Sequence, residues 1–180
     1  MSNQRNGKYS CIEFERRFLV RAVPSGVVAD SNGWRIVDRY IAGTRLRLRR
    51  MESLVGDQIQ RKLTQKFSES AEPIIQTTIT NIYLNEVEYQ VLEALWGNEI
   101  LKYRYAVDFQ NHKFGVDVFG GRHEGLILAE VEGESESALA QLALPTFAVR
   151  DVTGDPFFTG GALATVSEDD LKRRLAEEAG

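Results

Sequence analysis

The segment TRLRLRR, residues 44–50, places a cation at every second position. Side chains alternate sides in an extended strand, so Arg45, Arg47 and Arg49 share one face and Leu46 and Leu48 the other. Two like charges ~5 Å apart repel by roughly 3 kcal/mol at an effective dielectric of ~20. That is a large share of a typical stability of ~5–15 kcal/mol. Such a row is unfavourable unless an anion sits among the arginines.

The same alternation recurs on either side. In CIEFERRFLV (11–20), Glu13, Glu15 and Arg17 face one way, while Ile12, Phe14, Phe18 and Val20 face the other, interrupted by Arg16. Lys62, Thr64 and Lys66 alternate with Leu63 and Phe67, and Lys102 and Arg104 alternate with Leu101, Tyr103 and Tyr105. Asp117 is set against Val116 and Val118, and Glu130 and Glu132 against Ile127, Ala129 and Val131. For any single strand, a solvated polar face is the ordinary meaning of alternation. Here the charges segregate by sign. Carboxylates gather on the first, seventh and eighth strands, and cations dominate the third, fourth and sixth. Solvated faces normally mix signs, because like charges across a ladder repel.

The spacing predicts strands near 11–21, 34–41, 44–50, 58–67, 76–84, 101–109, 113–119 and 126–132. Turn residues separate most of them, among them Gly56-Asp57, Gln110 to His112 and Gly120-Gly121. Helices are expected over 86–96, where Val87, Val91 and Leu95 recur at four-residue spacing, over 134–143, and over 168–179 behind a Ser167/Asp170 cap. Eight strands in largely antiparallel order with a few helices give an α+β fold, with closure into a barrel as one arrangement. The expected organisation is a flexible N-terminus over 1–10, one domain over 11–164 and a C-terminal helix within 165–180.

Composition narrows the function. The 180 residues are 43% hydrophobic and 27% charged with a net charge of −4, enough for a core and unlike a disordered chain. The net value hides an asymmetry: residues 1–66 carry 14 Lys and Arg against 6 Asp and Glu, and residues 67–180 carry 8 against 20. An acidic chain without a nucleic-acid motif is not expected to bind nucleic acid. No apolar stretch approaches the ~20 residues of a membrane span. The first ten residues lack a signal-peptide pattern, and a lone Cys11 fits a reducing compartment, so a cytoplasmic location is expected. No P-loop motif occurs. His112 and His123 form no metal-ligand pattern and are expected at the surface, and Cys11 has no paired His motif that would make it a nucleophile. Arg and Lys in such rows suit phosphate oxygens, and the carboxylates suit a hard cation such as Mg²⁺ or Mn²⁺.

The ordered set EFERRFLV, LRLR, LTQK, KYRY, VDVF, LAEVE and DVTGD, spread over residues 11–164, resembles the CYTH domain, or triphosphate tunnel metalloenzyme, family. Glu13 and Glu15 match the family's opening Glu-x-Glu-x-Lys signature, with Arg17 in the Lys position. The resemblance implies a closed eight-stranded antiparallel β-barrel with a charged interior, its apolar faces turned outward beneath a few flanking helices. It implies metal-dependent hydrolysis of a small linear triphosphate, with Arg17, Arg47, Arg49, Lys66, Lys102 and Arg104 gripping phosphate. Arg45 and Lys62 join them on strand parity alone. Glu13, Glu15, Glu130 and Glu132 would hold the metal, with Asp117 a weaker candidate, and Lys102 is the candidate for water activation or leaving-group stabilisation. Binding of polyphosphate or nucleotide without turnover, and ATP cyclisation, remain alternatives, and self-association into a homodimer stays open. One motif departs: where the family carries Arg-x-Glu-x-Glu, this chain has Thr77-Thr78-Ile79-Thr80-Asn81, with neither the Arg nor the carboxylates.

Overall fold

A computed structural model describes residues 10–24, 32–67 and 76–178. The expected flexible N-terminus lies outside these residues except for Ser10. Strand β1 (Ser10–Val20) is followed by β2 (Trp34–Ile41), β3 (Leu46–Ser53), β4 (Ile59–Phe67) and β5 (Gln76–Tyr83). Helix α1 (Glu86–Glu93) then leads into β6 (Gly97–Phe109), β7 (His112–Gly120) and β8 (Ile127–Gly133). Helix α2 (Glu136–Ala140), β9 (Ala148–Asp151), α3 (Gly160–Leu163) and α4 (Glu168–Glu177) complete the chain, with 3-10 turns at Gly121–His123 and Pro156–Phe158.

The strands form one antiparallel sheet in the order β5-β4-β3-β2-β6-β7-β8-β1-β9, and β5 pairs back onto β1 to close an eight-stranded barrel. The free edge of β1 is divided: Ser10–Phe14 pair with β5, and Phe18–Val20 pair with β9. Closure removes the exposed edges that a sheet this size would otherwise present. Gln110 and Asn111, both at positive φ (48° and 64°), make the two-residue turn between β6 and β7.

Strand parity sorts the side chains as the alternation requires, with one addition. Phe18, Val20, Phe114, Val116, Ala129 and Val131 point outward and pack beneath Leu139 of α2 and the following Leu142. Arg16, also outward, donates to the carbonyls of Leu139 (2.7 Å) and Leu142 (2.5 Å) and pairs with Asp151, so its charge is spent securing that cover. At one end of the barrel the inward positions turn apolar. Leu19, Ile100, Phe119 and Leu128 meet Val152, Phe158 and Leu163 from the C-terminal segment and Leu171 of α4. The interior is therefore a charged chamber on an apolar floor.

Several expectations are corrected. Strand β9, α3 and the Pro156–Phe158 turn were not anticipated as elements; each is too short to show a period. Helix α2 is shorter than 134–143, and β6 begins at Gly97 rather than 101. The four-residue spacing in α1 does mark a helix, but Val87 (69% exposed) and Val91 (68%) face outward. Tyr89 is the buried residue, its ring covering more apolar area than a valine and lying under the Arg61 guanidinium. His123, expected at the surface, is 1% exposed. Its Nε2 lies 2.7 Å from the Leu163 carbonyl and its ring stands edge-on to Phe119, fastening the floor to the barrel wall.

Candidate active site

The chamber is a cavity of about 530 Å³. Every cation read as inward from the sequence lines it: Arg17, Arg45, Arg47, Arg49, Lys62, Lys66, Lys102 and Arg104. Glu13, Glu15, Glu130 and Glu132 line it too, whereas Asp117 is buried behind the lining.

Ladder register explains the contacts on one wall. Arg17 on β1 stands opposite Glu130 on β8, and Glu15 stands opposite Glu132. Arg17 donates Nε to Glu130 Oε1 (3.0 Å), one terminal nitrogen to Glu15 Oε1 (2.6 Å) and the other to the Phe158 carbonyl (3.0 Å). The signature cation is thus fixed between two carboxylates and the floor. On β7, Asp117 stands opposite Arg104 of β6 and accepts from Arg104 Nε (2.6 Å) and Lys102 Nζ (2.5 Å). Arg104 also reaches Glu130. Burial works against the Glu130 charge, yet Arg104 and Arg17 hold its carboxyl well below the usual range. Burial likewise lowers Lys102, with Asp117 opposing.

Next to the other wall stands a residue that the sequence reading missed. Asp38 of β2, 1% exposed, takes both oxygens to Arg49, at 2.5 Å from Nε and 2.6 Å from a terminal nitrogen. Arg47 Nε lies 3.7 Å from the same carboxylate. Burial would raise the Asp38 pKa, but Arg49 and Arg47 press it far below normal. The signal was available: Ile36, Asp38 and Tyr40 alternate along a strand whose neighbour holds the arginine row. Asp38 supplies the counter-charge that the TRLRLRR row demanded, so the protein itself meets part of the need assigned above to a bound anion.

Strand β5 is where the family motif is absent. Thr77, Ile79 and Asn81 all line the cavity, so these are the inward positions and they are uncharged. Asn81 Oδ1 accepts from the Thr64 hydroxyl (2.7 Å) and leaves that stretch of wall neutral. Of the DVTGD segment, Thr153 and Asp155 reach the cavity, and Asp151 pairs outside with Arg16.

Among the described residues, no three His, Cys, Asp or Glu are gathered as a ready cage for a metal ion. The donor set that fits a hard cation is Glu13, Glu15 and Glu132, all oxygen ligands on adjoining strands. Glu13 and Glu132 have no ion pair among the described residues, and Glu15 shares its oxygens with Arg17 and Lys66. Burial raises the Glu13 pKa; Lys66 counters this, and the nearby Glu132 and Glu15 add to it. Carboxylates of like charge on adjoining strands, Glu13 with Glu15 and Glu132, are chemically suited to a shared divalent cation.

An antiparallel barrel that converges guanidinium, ammonium and carboxylate groups on one enclosed chamber defines a triphosphate-tunnel architecture. An inorganic triphosphatase from Acetivibrio thermocellus is 33% identical over 107 residues, covering 54% of this chain and 67% of that protein. The crystal structure of the inorganic triphosphatase NE1496 matches with a TM-score of 0.58 at 25% identity, over 86% of this chain and 95% of that one. A Bacillus halodurans protein given a proposed adenylate cyclase role shares the fold at 16% identity, over 73% of this chain and 86% of that one, with a TM-score of 0.50. No family model matches the chain. The chain belongs to the CYTH, or triphosphate tunnel metalloenzyme, family, whose members depend on a metal.

Proposed function

We propose that this protein hydrolyses a small linear triphosphate inside the tunnel, with Mg²⁺ or Mn²⁺ as its metal. The observation that carries the reading is the convergence of eight inward cations on one cavity that also holds Glu13 and Glu132, which have no ion pair among the described residues. The inorganic triphosphatases among its relatives support the same chemistry. Arg45, Arg47, Lys62 and Lys66 receive phosphate oxygens from one side, and Arg17, Lys102 and Arg104 from the other. Arg49 is held by Asp38 and acts from behind Arg47. Glu13, Glu15 and Glu132 would hold the metal, which supplies Lewis-acid charge to the phosphoryl oxygens. Glu130 and Asp117 act as counter-ions that orient Arg17, Arg104 and Lys102.

Hydrolysis adds water to the terminal phosphorus and breaks its bond to the bridging oxygen, and charge grows on the departing pyrophosphate. A preorganised cation at that oxygen lowers the barrier. We assign this role to Lys102, whose Nζ is fixed by Asp117 at 2.5 Å on the cavity lining. No helix among the described residues is long and apolar enough to cross a membrane. The exposed, unbridged Cys11 agrees with a reducing compartment, and we read the location as cytoplasmic.

The test is release of phosphate from tripolyphosphate with Mg²⁺ or Mn²⁺. Turnover is expected, and Lys102→Ala should lower kcat by about 10²–10³-fold. The neutral β5 wall favours one competing reading, a receptor that binds triphosphate without cleaving it. Tight binding with no turnover of any triphosphate would select the receptor and remove the enzyme.

A further inference from the structure

The tunnel cations are not equivalent. Arg17, Arg47, Arg49, Lys66, Lys102 and Arg104 each lie within ion-pair distance of a carboxylate. Lys62 does not, among the described residues. It projects into the cavity from β4, directly opposite Arg49 on β3 and opposite Tyr83 on β5. The charged and titratable groups around it are Arg49 and Arg47 from β3, Asp38 from β2, Glu13 from β1 and Tyr83 from β5, with Lys66 further along its own strand on the same cavity. Asp38 is already taken by Arg49 through both oxygens. Glu13 makes no ion pair with Lys62 and bears on it less than Arg49, Arg47 or Asp38.

We propose that Lys62 is a proton-accepting phosphate ligand: entry of the triphosphate draws a proton from the buffer onto this amine, in part at neutral pH and toward one per site at alkaline pH, so that anion capture is coupled to proton uptake. The inference rests on the triphosphate-binding reading above and goes beyond it by assigning one tunnel residue a change of charge during binding. Two neighbouring guanidiniums oppose an ammonium at this point until a polyanion arrives. Once phosphate oxygens lie among the three cations, the same neighbours no longer dominate the local field and the ammonium gains charge-assisted hydrogen bonds. In the free protein the Lys62 pKa is pulled down to about 8, by burial first and then by Arg49 and Arg47, against Asp38 and Glu13. An arginine at this place would stay charged throughout and would bind without the proton step. The bound anion raises the amine pKa. The binding contribution is therefore complete below the free-state pKa and is lost as pH rises through the bound-state pKa.

The experiment is calorimetry of tripolyphosphate binding without metal, in two buffers of different ionisation enthalpy, between pH 7 and 9.5. Tripolyphosphate itself titrates, so the quantity read is the difference between wild type and Lys62→Arg. Wild type should take up a fraction of a proton more than Lys62→Arg, rising toward one proton above pH 8. Its affinity should fall more steeply with pH than that of the variant, by up to about tenfold per pH unit. Equal proton uptake in the two proteins, with binding intact, overturns the Lys62 assignment and leaves the triphosphate site standing. Absence of binding to wild type overturns the site itself. A second measurement needs no variant: the rate at which Lys62 is acylated, followed by peptide mass mapping. Reactivity should rise to half its maximum near pH 8 and be protected by tripolyphosphate. A Lys62 that titrates with the ordinary lysines, near ~10.4, overturns the proposal.

Discussion

On the wall built from β6, β7, β8 and β1, the buried cations meet carboxylates from the same wall, Arg17 with Glu15 and Glu130, and Lys102 and Arg104 with Asp117. The wall built from β3, β4 and β5 contributes no inward carboxylate among the described residues. Its one deep counter-charge, Asp38, is lent by β2. The first wall is compensated before any ligand arrives, and its groups are held in fixed geometry by mutual hydrogen bonds. The second keeps a surplus of positive charge that only an incoming anion can balance. A preorganised half beside a charge-hungry half suits capture of a polyanion: one side positions, the other attracts.

The largest effects are expected where a buried cation loses its partner. Asp38→Asn strips Arg49 of its bidentate contact, and Asp117→Asn leaves Lys102 without its carboxylate. Each should cost about 3–5 kcal/mol in urea unfolding at pH 7, the usual penalty for a buried charge left unpaired. The Asp38 and Glu130 carboxyls titrate below their ordinary values in the fold. Their contribution is therefore present above the unfolded carboxylate pKa, ~4, and is lost as pH falls below it. Stability should hold from pH 7 to about 5 and drop toward pH 3, with a shallower drop in Asp38→Asn. A cost under ~1 kcal/mol for Asp38→Asn would mean that water already shares the Arg49 charge, and the contrast between the walls would dissolve.

Much of this contrast could be read from strand parity. Arg47, Arg49, Lys102, Arg104, Glu130 and Glu132 point inward because side chains alternate, and alternation survives folding wherever a strand is regular. The resemblance to a known family supplied the closure, which parity alone left open. Asp38 escaped because a single carboxylate in WRIVDRYI breaks no pattern, and its importance comes from register with Arg49, a non-local pairing. The apolar floor escaped for a related reason. Leu19, Ile100, Phe119 and Leu128 continue inward faces that carry charge further along the strand, and what turns them into core is the C-terminal segment folded against them. His123 was misplaced on the same account: a polar turn became buried once Leu163 offered its carbonyl.

A more moderate effect would sharpen the comparison by writing charge onto the neutral strand. Ile79 stands opposite Lys66 in the β4–β5 ladder and lines the cavity. Ile79→Glu gives up apolar burial worth ~1.5–3 kcal/mol, offset in part by a new pair with Lys66. The added carboxylate should weaken metal-free tripolyphosphate binding by roughly tenfold, equivalent to ~1.4 kcal/mol. It should also raise affinity for Mn²⁺, measured by titration without substrate. Unchanged tripolyphosphate affinity would show that β5 lies outside the ligand's path.

The smallest effect on stability should come from the carboxylate cluster, and its sign is the informative part. Glu13 is half-buried with Glu15 and Glu132 nearby, and burial together with those charges lifts its pKa. A carboxyl whose folded pKa is raised opposes folding once ionised, so Glu13→Gln should stabilise the metal-free protein at pH 7 by a few tenths of a kcal/mol, up to ~1. The gain should vanish below pH ~4, where the wild-type carboxyl is neutral as well. The same substitution should lower metal-dependent turnover by more than ~100-fold, since it removes a ligand where even supporting residues are worth 10–100-fold. Stability and activity then move in opposite directions at one residue, as expected of a group placed for a cation the fold itself does not supply. A Glu13→Gln protein that is less stable at pH 7 would instead make Glu13 a partner of Lys66, and the metal would have to be sought elsewhere along β8.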